Sequence, residues 1–462
     1  MAAIDRRTWL KQSGPLCASK LLAAPAKPPN VVFLFTDDQR ADTVSALGNP
    51  HIRTPNLDAL CRSGMVFRNA YCMGGNSPAV CLPSRNMLLS GRTFFRYGLT
   101  APADAPNFPD AMRAAGYETY HHGKRGNTAL LIQARFEHNN YLSDQAERLG
   151  GEPGKQIVDD AIRFLREPHD RPVFMYLAFG NPHDPRVAAR RYLDLYDPAR
   201  IPLPANFLPV HPFDNGEMVI RDELLSPWPR TPEEIRRQLA EYWAVVTGLD
   251  ENIGRLIAHM RESGIYENTI IVFSSDQGIA LGSHGLMGKQ NLYEDSMRVP
   301  LVIRGPGIRT GTTAAMVYLM DIFPTILDLV GAAAPPGLDG RSFAPVVRGH
   351  AGKARESIFL AYRDVQRALR EQRYKLIVYP KVARRQLFDL ARDPDETRDL
   401  ASQPAHRPRI DAMLDRLRLA QRQFGDTAPL SISNPGDGVF RPPTGDDLDR
   451  MLKSWGMTRS SR

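Results

Sequence analysis

The sequence predicts an α/β protein, with a mostly parallel central sheet carrying helices on both faces and a smaller C-terminal α+β domain. Three observations point there. "NVVFLFTDD" (30–38), "RPVFMYLAFGNPHDP" (171–185) and "TIIVFSSDQG" (269–278) are continuous apolar runs, as strands buried on both faces read, and each ends in acidic or polar residues. Segments with helical spacing alternate with them, which is the pattern of a parallel sheet. From about residue 341 the texture changes to short strands and turns.

In chain order, 30–38 is the first strand, and "TPNLDALCRSG" (54–64) reads as a short helix closed by Gly64. "DAMRAAGYETYHHGK" (110–124) reads as a helix ending at Gly116, then a strand and a Gly-Lys turn. "KQIVDDAIRFLRE" (155–167) has helical spacing, and the strand at 171–185 follows it. A long helix spans 231–264, opened by Thr231 with Pro232 in its first turn and Glu234 three residues on. The strand at 269–278 then repeats the first pattern. "ESIFLAYRDVQRALREQRYKLIVYP" and "RQLFDLARDPDETRDLA" suggest antiparallel strands, followed by a helix near 406–424. The last forty residues are rich in Pro, Gly and Asp and read as a surface wrap. The boundaries that follow are 1–26 for a leader, 27–340 for the large domain and 341–462 for the C-terminal one.

The 462 residues carry a formal charge of +8, which suits an anionic ligand. No Lys/Arg stripe is interleaved with aromatics, so nucleic acid is not an expected partner. Four cysteines are too few for a disulfide framework in a chain this long, although a Cys61–Cys72 bridge is compatible with the sequence. No CxxC pair or Cys/His zinc cluster occurs. Arg6 and Arg7, an apolar stretch and Ala24-Pro25-Ala26 follow the grammar of a twin-arginine export signal. This predicts a periplasmic or secreted protein; without export the location is cytoplasmic. No other segment approaches membrane-span length, so no stable membrane anchor is expected.

In such sheets, ligands gather at the C-terminal ends of the strands. Asp37, Asp38, His183, Asp276 and Gln277 all fall just past such ends. Singly, each acid there reads as a loop cap or a solvated charge; several at equivalent strand ends point to a site. "AVCLPSRNMLLSG" (79–91) sets Cys81, Pro83 and Arg85 before an apolar helical run. By itself that segment reads most simply as a buried structural thiol, the usual fate of a lone cysteine; the sharper reading is a modified nucleophile.

Taken together, these motifs resemble the type I, formylglycine-dependent sulfatases of the alkaline phosphatase superfamily, arylsulfatases and choline-sulfatases among them. "CLPSR" fits the Cys-x-Pro-x-Arg core, "LLSGR" its continuation and "GYETYHHGK" the second signature. "FTDDQRADTVSALG", "IRTPNLDAL", "NPHDP", "GKQNLYEDSMRVPLVIRGPG" and "LFDLARDP" are similar to further family segments in the family's order, from about residue 30 to about 400.

The resemblance implies an alkaline phosphatase-like fold and hydrolysis of a sulfate ester of a small molecule or sugar. It implies that a formylglycine-generating enzyme oxidises Cys81 to formylglycine. The hydrated aldehyde would attack sulfur with one hydroxyl and expel sulfate by deprotonating the other. Ca2+, ahead of Mg2+, would be held by Asp37, Asp38, Asp276, Gln277 and the modified Cys81. Arg85 would hold the nucleophile's charge. Lys124 and Lys289 would grip the sulfate and the leaving-group oxygen, and His183 would contact the ester oxygen as a general acid. One departure is Gly126, where many relatives have a histidine; either His121 or His122 covers that role, or another group does, or turnover is slow. His284 is a further candidate or a loop-packing residue. Phosphonate monoester or phosphodiester hydrolysis on the same scaffold, and an inactive sulfated-glycan-binding protein, are the competing expectations.

Overall fold

The computed structural model describes residues 27–142 and 150–459. The predicted export segment, 1–26, lies outside the described residues. The large sheet contains β1 (Asn30–Asp37), β2 (Met65–Tyr71), β4 (Glu118–Lys124), β5 (His138–Leu142), β6 (Val173–Pro182), β7 (Thr269–Ser275), β8 (Arg298–Arg304) and β9 (Gly311–Tyr318). Their order is β5-β4-β6-β1-β7-β8-β2-β9. From β5 to β7 every pairing is parallel. β8 is antiparallel to β7 and β2, and β9 is parallel to β2.

Strand periodicity divides the core between the two faces. Val31, Phe33 and Phe35 of β1 pack on one side with α2 (Cys81–Ser90), α3 (Phe108–Ala114) and α6 (Ile322–Leu329). Val32 and Leu34 pack on the other with α1 (Pro55–Ser63), α4 (Lys155–Leu165) and α5 (Pro232–Glu262). The cap of α5 is the expected one: the Glu234 N–H donates to Thr231 Oγ1 at 3.3 Å. Among the described residues no helix is long and apolar enough to cross a membrane.

Cys61 and Cys72 are buried free thiols in the clusters on opposite faces of this sheet. The bridge compatible with the sequence therefore does not form.

A second sheet has the order β13-β12-β11-β10-β3. Its antiparallel strands are β10 (Ser357–Tyr362), β11 (Gln366–Glu371), β12 (Tyr374–Tyr379) and β13 (Arg384–Asp389). The short β3 (Gly74–Gly75), from far upstream, pairs parallel with β10, with Gly74 opposite Ala361. Gly74 has φ +101°, and a Cβ there would stand 2.1 Å from the Ala361 carbonyl oxygen, so only glycine fits. α7 (Arg407–Phe424) covers this sheet, and α8 (Gly445–Ser454) is a helix in the tail that the sequence reading did not anticipate.

The start of α1 is capped from another helix. Asp250 of α5 accepts the Leu57 N–H at 2.7 Å, the Asn56 N–H at 3.2 Å and Asn56 Nδ2 at 2.9 Å. Burial pushes its carboxyl up to about 6, which offsets part of the gain. Asp250→Ala is expected to cost about 1–2 kcal/mol, read as a lower urea midpoint with an unchanged m value.

Candidate active site

The ends of β4, β6, β1 and β7 converge at the C-terminal edge of the large sheet. They carry Lys124, His183, Asp37 with Asp38, and Asp276 with Gln277. Register explains the meeting: Asp37 lies beside Pro182, and Thr36 beside Ser275. A Cβ at position 123 would stand 2.3 Å from the Ala178 carbonyl oxygen, so Gly123 lets β4 lie close to β6 where Lys124 emerges. Asp38 adopts the left-handed conformation with φ +62°. Its N–H donates to Asp276 Oδ1 at 3.1 Å, and its carbonyl accepts the Tyr242 hydroxyl of α5 at 2.6 Å.

Cys81 is the first residue of α2. The helix is pinned to the strand ends by its next turn: the Ser84 hydroxyl donates to the Asp276 carbonyl at 2.7 Å. Arg85 donates through Nε to Asp276 Oδ2 and through Nη2 to Asp37 Oδ2, each at 2.9 Å. All three side chains of that bridge are fully buried. Lys124 Nζ also donates to Asp37 Oδ2. Lys289 Nζ donates to both Asp38 oxygens at 2.8 Å. His183 Nδ1 donates to the Asp184 carbonyl at 2.7 Å, which turns Nε2 towards Asp38 Oδ2, 3.7 Å away. Ligand atoms of Asp37, Cys81 and Asp276 lie within 4.8 Å of one another, as do those of Asp37, Asp38 and His183.

Burial alone would raise the Asp37 carboxyl, but Lys124 and Arg85 outweigh it and hold the group well below the usual carboxylate range. Asp276 moves the other way, pushed up by burial and then by the Asp37 charge. Burial disfavours the Lys289 charge, yet Asp38 and its neighbours hold that ammonium well above its ordinary value. Lys124 is raised in the same way, by Asp37 against burial. The Cys81 thiol is pushed up to about 11 by burial.

The donor set fits a hard divalent cation. Asp37 Oδ1 and Gln277 Oε1 are buried oxygens without a hydrogen-bond donor. Gln277 spends its amide on Asp38 Oδ1 at 2.6 Å, leaving the carbonyl oxygen to serve as a ligand. Two adjacent carboxylates that repel each other, with unsatisfied oxygens beside them, are what a bound cation relieves.

The three further histidines are not brought to this cluster. His121 and His122 are adjacent in β4 and so face opposite sides of the sheet. His121 Nδ1 bonds Asn139 Oδ1 at 2.8 Å and its ring stacks on Tyr176, while His122 Nδ1 lies 3.3 Å from Asp160. Burial lowers both, His121 to about 3. His284 stacks on Tyr293 with ring centroids 3.7 Å apart, packing its loop.

Several residues without a motif of their own join the site. A cavity of about 450 Å³ opens outside Cys81, His183 and Lys289, lined by Arg221, Asp222 and Trp455 among others. Asp222 Oδ2 accepts from Gln290 Nε2 at 2.8 Å and lies 3.8 Å from Lys289 Nζ. Arg221 pairs with Asp184, next to His183.

The sulfatase family model matches residues 29–332, which contain every site side chain named above except Trp455. The chain belongs to the sulfatase family. A second model, described as N-sulphoglucosamine sulphohydrolase, C-terminal, matches residues 282–423 of this sulfatase. The sulfatase is 29% identical to an N-acetylglucosamine-6-O-sulfatase of Bacteroides thetaiotaomicron, over 87% of this chain and 88% of the relative. A solved protein in complex with its substrate D-glucosamine-2-N,6-O-disulfate superposes with a TM-score of 0.74 at 26% identity, covering 87% of this chain and 99% of that one. The phosphonate monoester hydrolase of Silicibacter pomeroyi superposes with a TM-score of 0.71 at 26% identity, covering 87% and 96%. The alkaline phosphatase-like α/β fold read from the sequence is the fold of this sulfatase.

Proposed function

We propose that this sulfatase hydrolyses a sulfate monoester of a sugar, with position 81 as nucleophile once a formylglycine-generating enzyme has oxidised the thiol. The observation that carries this reading is the meeting of Cys81 Sγ with Asp37 and Asp276 oxygens within 4.8 Å, in a site ringed by buried lysines. The thiol itself is a poor nucleophile here, because burial pushes it up to about 11 and leaves little thiolate at neutral pH. The hydrated aldehyde supplies an oxygen nucleophile with a built-in route for releasing sulfate. Asp37, Asp38, Asp276 and Gln277 would hold Ca2+, which supplies Lewis acidity at the sulfate oxygens.

The remaining work belongs to this chain's own side chains. Lys124 and Lys289 place two ammonium groups where the ester's negative charge grows, in a site largely closed to water. The N-terminus of α2 adds its backbone dipole at position 81. Arg85 keeps α2 and both carboxylates in register. His183, oriented by its Nδ1 bond to the Asp184 carbonyl, delivers a proton from Nε2 to the departing oxygen.

His183→Ala should therefore lower kcat by about 10²–10³-fold on a sugar sulfate. The loss should be much smaller on 4-nitrophenyl sulfate, whose leaving phenolate needs no proton. Equal losses on both substrates would remove His183 from that role.

A second reading, phosphonate monoester or phosphodiester hydrolysis, is favoured by the similarity to the Silicibacter enzyme. A tetrahedral phosphorus anion would meet the same lysines. The complete set of Cys81, Arg85, both lysines and the oxygen donors speaks against an inactive glycan-binding protein. The test pairs two measurements on protein from its own host: the mass of the peptide carrying Cys81, and kcat/KM for a sulfated sugar against a phosphodiester. An aldehyde at position 81 with preference for sulfate supports the proposal. An intact thiol in active enzyme, or preference for the phosphodiester, rejects it.

A further inference from the structure

Trp455 lies beyond every motif, yet it lines the cavity that Cys81, His183 and Lys289 also line. Trp455 is exposed, at 47%, which is unusual for an indole without a partner to cover. α8 is docked through Leu452, which is 1% exposed. The helix closes with the Trp455 and Met457 N–H groups on the Leu452 carbonyl, at 3.1 and 2.8 Å, and Gly456 takes the left-handed turn with φ +68°. Upstream, the tail is tied to the 186–230 segment: the Asp214 N–H donates to the Gly438 carbonyl at 2.9 Å, and Phe440 meets Trp228 edge-on at 5.7 Å. That same segment gives Ile220, Arg221 and Asp222 to the cavity. The two segments thus build one outer wall around the reacting end of the site.

The wall's chemistry narrows its ligand. A flat indole stands with Ile220 among hydrogen-bonding groups of Asn127, Asp222 and Gln290. An aromatic face with a few placed polar groups suits a sugar ring, which has an apolar C–H face and a rim of hydroxyls. A quaternary ammonium is served less well. The Arg221 guanidinium shares the wall, and the Asp222 charge is already answered by Arg221 at 3.1 Å and Lys289 at 3.8 Å.

We propose that Trp455 determines specificity for the leaving group by stacking against the pyranose ring of the sulfate ester. The assignment rests on the reading of this chain as a sugar sulfatase. It is tested with the full-length enzyme and its Trp455→Ala and Trp455→Phe variants, on N-acetylglucosamine 6-sulfate and on choline sulfate. Trp455→Ala should raise KM for the sugar sulfate about 10-fold or more, with kcat within about 3-fold, and Trp455→Phe should recover most of the loss. Unsulfated N-acetylglucosamine should change tryptophan emission in the wild type and not in Trp455→Phe. An unchanged thermal midpoint separates these effects from misfolding. An unchanged KM in Trp455→Ala, with the wild type active on the sugar sulfate, overturns the Trp455 assignment alone. A larger loss on choline sulfate than on the sugar also overturns it, giving the indole to an ammonium group. A wild type inert towards sulfated sugars overturns the sugar-sulfatase reading and this assignment with it.

Discussion

Cys81→Ala should lower kcat by about 10⁴-fold or more, because alanine lacks the thiol that the proposed oxidation to formylglycine consumes, which leaves only binding and charge stabilisation. The fold should survive the change. Cys81 is 1% exposed, but the substitution deletes a single sulfur at the start of α2 and leaves the Arg85 bridge and the Ser84 bond in place. The variant's thermal midpoint and its kcat on a sulfate ester are the two measurements. Activity within tenfold of the wild type would place the nucleophile elsewhere.

Removal of divalent cations should have an effect of similar kind. Chelation should lower kcat by about 10³-fold or more, and Ca2+ should restore it, as the proposal that Asp37, Asp38, Asp276 and Gln277 hold this cation requires. Asp37→Asn should give the same loss without rescue by Ca2+. It should also destabilise the protein by about 3–5 kcal/mol, since Asp37 is the shared acceptor of Arg85 and Lys124 and its charge is the main offset to the burial of Lys124. Urea unfolding of Asp37→Asn with and without Ca2+ separates the two contributions. An active, fully stable Asp37→Asn would remove this carboxylate from both roles.

The parallel half of the large sheet was legible because a strand covered on both faces must be apolar throughout. β1, β6 and β7 announced themselves in this way, and the polar residues just past them marked the site edge. β2, with Arg68 and Asn69 interrupting its apolar run, lacks that continuity and was not read from the sequence. α8 was hidden by the Pro, Gly and Asp around it. The motif residues were legible because they sit at fixed offsets from strand ends. Asp222 and Trp455 were not, since they reach the cavity through loop and tail packing, which leaves no periodic trace. Alternation along β4 decides what the sequence left open for His121 and His122: one faces each side of the sheet, and Asn139 and Asp160 lie beside them.

The two-residue strand at Gly74–Gly75 has a bearing on how relatives of this protein can be recombined. It completes the small sheet from within the large domain, six residues upstream of Cys81. A chimera exchanging only the chain after 340 would set a foreign β10 against Gly74, where the native carbonyl already leaves no room for a side chain. Grafts that carry 72–75 together with the C-terminal segment preserve that seam. Grafts that do not will transmit the mismatch along seven residues of backbone to the start of α2, so the expected symptom is a folded protein with Cys81 misaligned.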